Sequence, residues 1–347
     1  MSISEIRESD DRQAQKTVRR KSLISDKFFP DKLAIDHAKV YPMLVMATMS
    51  SGKSTLINAI MGNELLPNRN EACTAKVYSI LDDDTCKKMR MYVTDKNGAV
   101  TCIKDGFAMA LEKANESDDV ENVFIQGQVK GVLNTDKALL VIDTPGPNNS
   151  RDKAHEAIAK KILKMLKGGL IIYVINATQL GITDDRALLK ILKEFTVAHK
   201  NIAPVFVVNK VDQIDMEKES LADLLKATKE YLEQNGFPSP DIIPVSALAA
   251  LLFKKVLNGD RLTRSQKKEF RYCYELFAPQ DFSLKSYAVT EDLPDQYDDV
   301  VSEVGTFKVS EIRRAIENTG ITYLESYIQR FQILSGEKLS NRVRIRK

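Results

Sequence analysis

Gly52, Lys53, Ser54 and Thr55 stand in a row between an apolar run, residues 43–47, and a segment in which Leu56, Ile57 and Ile60 fall at helical spacing. Strand, small polar loop, then helix is the order of a phosphate-binding P-loop. Backbone N–H groups of such a loop converge on phosphate oxygens, and the new helix adds its positive N-terminal end. Gly52 has no side chain to keep the backbone away from a phosphate. Lys53 can reach the β- and γ-phosphates as a point charge, and Ser54 can offer its hydroxyl to Mg²⁺. Ser50, Ser51 and Thr55 complete the expected lining of this loop. The pattern usually opens with glycine; here that position is Ala47, a departure expected to fall at the loop's tightest turn.

Three further motifs follow in order. Thr74, 21 positions after Lys53 and just before a strand pattern, is placed to give its hydroxyl and carbonyl to Mg²⁺ and the attacking water. Asp143-Thr144-Pro145-Gly146 closes the buried run at residues 138–142. That tetrad alone is also a good turn. After such a strand, Asp143 can hold the metal's water shell and Gly146 can offer its N–H to the γ-phosphate. Asn209-Lys210-Val211-Asp212 follows another buried run, residues 203–208. The Asp212 carboxylate can accept from both the ring N–H and the exocyclic amine of guanine, where adenine presents the wrong pattern. The Asn209 side chain would tie this loop to the P-loop, and the Lys210 stem would cover the base. Ser246-Ala247 follows the last strand pattern and would set the Ala247 N–H on the guanine carbonyl.

These residues need a scaffold, and the rest of the chain supplies its signals. Strand patterns fall at residues 42–47, 75–81, 89–94, 123–129, 138–142, 169–176, 203–208 and 241–245. Helical patterns fall at 107–114, 153–167, 183–195, 216–235, 248–257, 264–275, 310–318 and 321–334. Alternation of this kind predicts an α/β fold with a mostly parallel central sheet flanked by helices, its sites at the carboxyl ends of the strands. Residues 1–39 read as a charged N-terminal arm with a helix or loop leading in, and 40–335 as the main domain. Residues 279–305 read as an acidic excursion, and 336–347 as a basic tail.

Composition excludes several classes. Lys plus Arg is 51 and Asp plus Glu is 48 of 347 residues, so net charge gives no argument for a nucleic-acid partner. Cys73, Cys86, Cys102 and Cys273 lack C-x-x-C spacing, which predicts reduced thiols in a cytosol. The charged N-terminus does not read as a signal peptide, and no apolar run approaches the ~20 residues that span a bilayer. His37, His155 and His199 are the only histidines, so a zinc site or a histidine-based triad has little material.

Together, SSGKSTLINAIMGNELLPNRNEACTA, VIDTPGPNN and VVNKVDQ resemble the GTPase domain of bacterial dynamin-like proteins. The likeness covers about residues 40–335, and TGITYLESYIQRF is similar to the last helix of that domain. Ser50 stands where dynamins carry a serine, and Thr74 and Asp143 are 69 positions apart, far more than in small Ras-like enzymes. Pro147 follows the tetrad near the place where a Ras-like enzyme has its catalytic glutamine. The resemblance implies an extended P-loop GTPase domain with helical additions, a GTP and Mg²⁺ requirement, and hydrolysis without that glutamine. It implies that Ser50 contacts the β–γ bridge and a monovalent cation, Na⁺ or K⁺, while Thr74 and Gly146 place the water. It also implies pairing of two GTPase domains, and membrane or vesicle remodelling from a cytoplasmic position at the inner face of the membrane. The family's stalk and membrane-binding tip have no counterpart in these residues, so the expected chain is a GTPase domain of a longer protein or a subunit acting with a partner dynamin-like subunit. The competing reading is a ribosome- or RNA-associated switch GTPase. The long Thr74–Asp143 segment and the lack of an RNA-binding appendage argue against it.

Overall fold

The structure, a computed structural model, describes residues 22–335 apart from 31, 32, 34, 67–75, 87, 133–136, 145–152, 182, 201, 216, 217, 280–282, 289–302, 305 and 306. Thr74, Gly146, Pro147, most of the arm, most of the acidic excursion and the basic tail lie outside the described residues.

In chain order the elements are β1 (Val40–Ala47), α1 (Lys53–Met61), β2 (Val77–Asp82), β3 (Arg90–Asp95), β4 (Val100–Ile103), α2 (Phe107–Glu116), β5 (Val120–Gly127) and β6 (Ala138–Asp143). Then come α3 (Lys153–Met165), β7 (Gly169–Asn176), α4 (Thr183–Ala198), β8 (Ile202–Asn209), α5 (Leu221–Gln234), β9 (Ile242–Val245), α6 (Ala247–Leu257) and α7 (Arg264–Phe277). A two-residue pair, β10 (Glu303–Val304) and β11 (Phe307–Lys308), precedes α8 (Val309–Asn318) and α9 (Ile321–Leu334).

The first nine strands form one sheet in the order β4-β3-β5-β2-β6-β1-β7-β8-β9. From β6 to β9 every pairing is parallel. Strands β1 and β7 are buried along their whole length, as unbroken apolar runs covered on both faces must be. Beyond β6 the sheet is mixed: β2 runs antiparallel to β6, and β3 runs antiparallel to both β4 and β5. Strands β3, β4 and β5 therefore extend the same sheet. Strand β4 was not expected from the sequence. It is an exposed edge strand, closed onto β3 by a turn in which Asp95 accepts from the N–H groups of Asn97 and Ala99. An edge strand facing water does not carry the apolar alternation that marks the others.

Helix α5 begins five residues later than residue 216, where the sequence pattern suggested. Ser220 ends the preceding turn and caps the helix by accepting from the Asp223 N–H. Helix α6 packs against α1, α7 and α8, and α9 packs against α8 and α1. The C-terminal helices thus brace the helix that leaves the P-loop. A buried ion pair, Lys254–Glu325, joins α6 to α9, and the same Lys254 ammonium donates to the Ala59 carbonyl of α1 at 2.8 Å. Within the stretch assigned to the N-terminal arm, Ile24 is fully buried and the Ser25 N–H donates to the Met165 carbonyl at 3.0 Å, so this part is fastened to the end of α3. Among the described residues, no helix is long and apolar enough to cross a membrane.

Candidate functional site

The carboxyl ends of β1, β6, β7, β8 and β9 bring the described motif residues together. After Ala47 the loop is closed on itself: the Ser51 hydroxyl donates to the Thr48 carbonyl at 2.7 Å and lies 3.1 Å from the Thr48 hydroxyl. The side chain of Ser51 is therefore spent on the loop's own shape. The tight turns fall at Ser50 and Gly52, which have φ of 59° and 82°. Ala47 is still in β1 with ordinary strand backbone, so the expected tight turn at that position is not there, and alanine fits without strain. At Gly52 glycine is required twice, by its left-handed backbone and because a Cβ would run into the Asn209 side-chain amide.

Lys53 opens α1 and forms an ion pair with Asp143 at the end of β6. Asp143 is 7 % exposed; burial pushes its carboxyl above the usual range, and the Lys53 ammonium opposes that. The lysine expected at the phosphates and the aspartate expected at the metal are thus joined. Ser54 and Thr55 sit half-buried in the first turn of α1. Thr144 holds the next step of the chain: its hydroxyl donates to the Val45 carbonyl of β1 at 3.0 Å.

The loop expected to read the base is fastened at several points. Asn209 is 2 % exposed, and its side-chain amide donates to the Ser51 carbonyl at 2.9 Å, which is the tie to the P-loop that the sequence suggested. Its Oδ1 accepts the Ala247 N–H at 3.0 Å. The amide expected to face a base carbonyl is here engaged by Asn209, so that role needs an exchange of partners. Asp212 is 4 % exposed and accepts from the Ser246 hydroxyl at 2.6 Å. Burial raises its carboxyl, while Ser246 and the nearby Lys210 hold it down. Lys210 has left-handed backbone (φ 67°), and its stem passes close to Gly52. Ser246 serves twice, since it also caps α6.

Two functional neighbours escaped the sequence reading. Asn176 ends β7 as Asn209 ends β8, and its amide lies 3.5 Å from the Ser50 carbonyl. The signal was present: both are buried strands that end in asparagine. Tyr272, on α7, donates to the Asp212 carbonyl at 2.9 Å, and nothing in its sequence surroundings points there. A cavity of about 500 Å³ lined by Phe28, Phe29, Val123 and Ile162 lies under the lead-in segment and includes none of the motif residues.

The donor set fits Mg²⁺ rather than a metal held by protein alone. Among the described residues no three histidine, cysteine, aspartate or glutamate side chains are placed to hold a metal ion. Asp143 offers one buried carboxylate and Ser54 one half-buried hydroxyl, and Mg²⁺ bound with phosphates asks for one or two carboxylates and keeps several waters.

Residues 43–211 match the Dynamin family. The chain is 26 % identical over 194 residues to Dynamin-like protein A of Bacillus subtilis, covering 54 % of this chain and 15 % of that protein. It is 25 % identical over 196 residues to the bacterial dynamin-like protein of Nostoc punctiforme, covering 53 % of this chain and 26 % of that one. The chain thus spans about a quarter or less of the curated relatives it matches. Among solved structures, an oligomerised bacterial dynamin pair described as sensing and tethering membranes aligns with TM-score 0.47 and 17 % identity, over 87 % of this chain and 42 % of that one. Era of Aquifex aeolicus bound to GDP and aluminium fluoride aligns with TM-score 0.35 and 16 % identity, over 65 % of this chain and 69 % of that one.

Proposed function

We propose that the chain carries a bacterial dynamin-like GTPase domain, as its match to the Dynamin family and its likeness to two bacterial dynamin-like proteins support, that it binds GTP with Mg²⁺ and hydrolyses it to GDP and phosphate, and that two copies pair through their nucleotide faces to do so. The observation that carries this is the double fastening of one site: Lys53 to Asp143 on the phosphate side, and Asn209 to both Ser51 and Ala247 on the base side. Asp212, fixed by Ser246, reads guanine. Lys53 leaves Asp143 for the β- and γ-phosphates. Ser54, Thr74 and Asp143 would hold Mg²⁺, which would supply positive charge to offset that of the phosphates. Thr74 and Gly146 orient the attacking water by their carbonyl and N–H. Ser50 is left-handed and exposed; its hydroxyl and the loop backbone would hold Na⁺ or K⁺, which would supply positive charge beside the phosphates. Fixed positive charge there is worth more in a site from which a second domain has excluded water.

We also propose that this cycle drives assembly at a membrane surface, alone or with a partner dynamin-like subunit. The test has two arms. Phosphate release is measured at several protein concentrations in Na⁺, K⁺ or a bulky organic cation, and sedimentation is run with GDP and aluminium fluoride. Specific activity should rise with concentration and fall in the bulky cation, and the fluoride complex should sediment as a dimer. A monomer in that state, with concentration-independent activity, rules out pairing and favours a switch GTPase.

A further inference from the structure

We infer that Tyr272 is a positioning residue for guanine, holding Asp212 in place from a helix outside the nucleotide motifs. The inference rests on the assignment of Asp212 to the base. The Tyr272 hydroxyl donates to the Asp212 main-chain carbonyl at 2.9 Å, although the residue is 52 % exposed. A half-exposed tyrosine can satisfy its hydroxyl with water, so a protein partner on a loop 60 positions earlier is a specific tie. Partial burial and the negative charges of Asp212, Glu269 and Asp215 push the phenol up, which keeps it a donor.

The tie is useful because α7 is fixed by other contacts. Phe270, Cys273 and Phe277 are buried along one face, and Phe270 meets Phe253 of α6 edge-on with ring centroids 5.5 Å apart. At its start α7 carries a capping box between Thr263 and Gln266. The Gln266 side chain reaches Glu64, which also pairs with Lys255 of α6. The same helix therefore touches the segment after α1 from its first turn and the Asp212 loop from its second half. Asp212 is held from both sides, its carboxylate by Ser246 and its carbonyl by Tyr272. Lys210, two residues before Asp212, is in a left-handed conformation. A carboxylate that must meet two guanine N–H groups tolerates only about 0.5 Å of misplacement.

Tyr272→Phe removes the bond and keeps the ring. Three quantities are read: amide hydrogen exchange across residues 209–214 without nucleotide, affinities for GDP and for IDP, which lacks the exocyclic amine, and the thermal midpoint. The expected result is loop exchange faster by about three- to tenfold and GDP affinity lower by about three- to tenfold. IDP affinity should fall less, and the midpoint should stay within about 2 °C. Unchanged exchange with an unchanged GDP/IDP ratio overturns the inference. So does an equal loss for GDP and IDP with a lowered midpoint, which marks Tyr272 as packing only. A wild-type protein that fails to prefer GDP over IDP refutes the guanine assignment itself, whereas the exchange arm judges the Tyr272 tie without any nucleotide.

Discussion

Asn176 and Asn209 stand opposite each other in the register of β7 and β8, and their side-chain amides point at consecutive carbonyls of the P-loop, Ser50 and Ser51. The phosphate loop is thus gripped from the same two strand ends, one of which begins the base-reading motif. The two grips differ in strength. The Asn209 bond is 2.9 Å and buried, whereas the Asn176 contact is 3.5 Å.

Asn209→Ala should cost about 2–4 kcal/mol of stability, because it leaves the Ser51 carbonyl and the Ala247 N–H buried without a partner. Asn176→Ala should cost about 1 kcal/mol, mostly through the turn in which Asn176 accepts from Thr178. Denaturant titration of both variants checks the ranking, and equal losses would contradict it.

Asp212→Asn should lower GTP affinity by on the order of 100-fold or more and raise that for XTP. The amide donates where guanine also donates, while xanthine presents an acceptor there. Ser246 keeps an oxygen to donate to, so the fold should be unaffected. Competition between labelled GTP and XTP checks it; an unchanged preference would remove Asp212 from the base site.

Lys53→Ala and Thr74→Ala should separate binding from turnover. The first removes a phosphate contact and leaves Asp143 buried without its counter-charge, so nucleotide binding should vanish and Asp143 should take up a proton. The second should leave affinity within about threefold and lower kcat by about 100-fold or more, if the role proposed for Thr74, placing water, holds. Equilibrium binding alongside single-turnover hydrolysis distinguishes them. Normal turnover by Thr74→Ala would mean that another residue orients the water.

Stability should carry a pH signature from Asp82. It is fully buried at the end of β2, and its Oδ1 accepts the Val129 N–H at 2.8 Å. Burial, with Asp84 and Asp83 adding, pushes its carboxyl from 3.8 up to about 7. Between those values the folded protein holds a proton that the unfolded chain has released. The resulting stabilisation is complete below the unfolded value and is lost as pH rises through the folded one. Asp82→Asn cannot ionise, so its stability relative to the parent should grow by up to about 3 kcal/mol from pH 5 to pH 8. Thermal melts across that range check the slope, and a pH-independent difference would place the proton elsewhere.

The sequence by itself determined the parallel half of the sheet and the order of the motifs. Residues 169–176 could be read to the residue because a strand covered on both faces must be apolar throughout, and 138–143 nearly so, for the same reason. Gly52-Lys53-Ser54 and Asn209-Lys210-Val211-Asp212 were legible because their chemistry lies in residue type and local order. Strand β4 and the start of α5 were less legible. One faces water and carries no burial pattern, and the other begins at a serine cap within a polar stretch. Tertiary structure alone decided which groups meet. It paired Lys53 with Asp143 across 90 positions, turned Ser51 inward to its own loop, and gave the Ala247 N–H to Asn209. It also carried Tyr272 to the Asp212 carbonyl from a helix that no motif marks. Such contacts depend on the directions in which strand ends and packed helices aim their side chains, and spacing along one chain does not encode those directions.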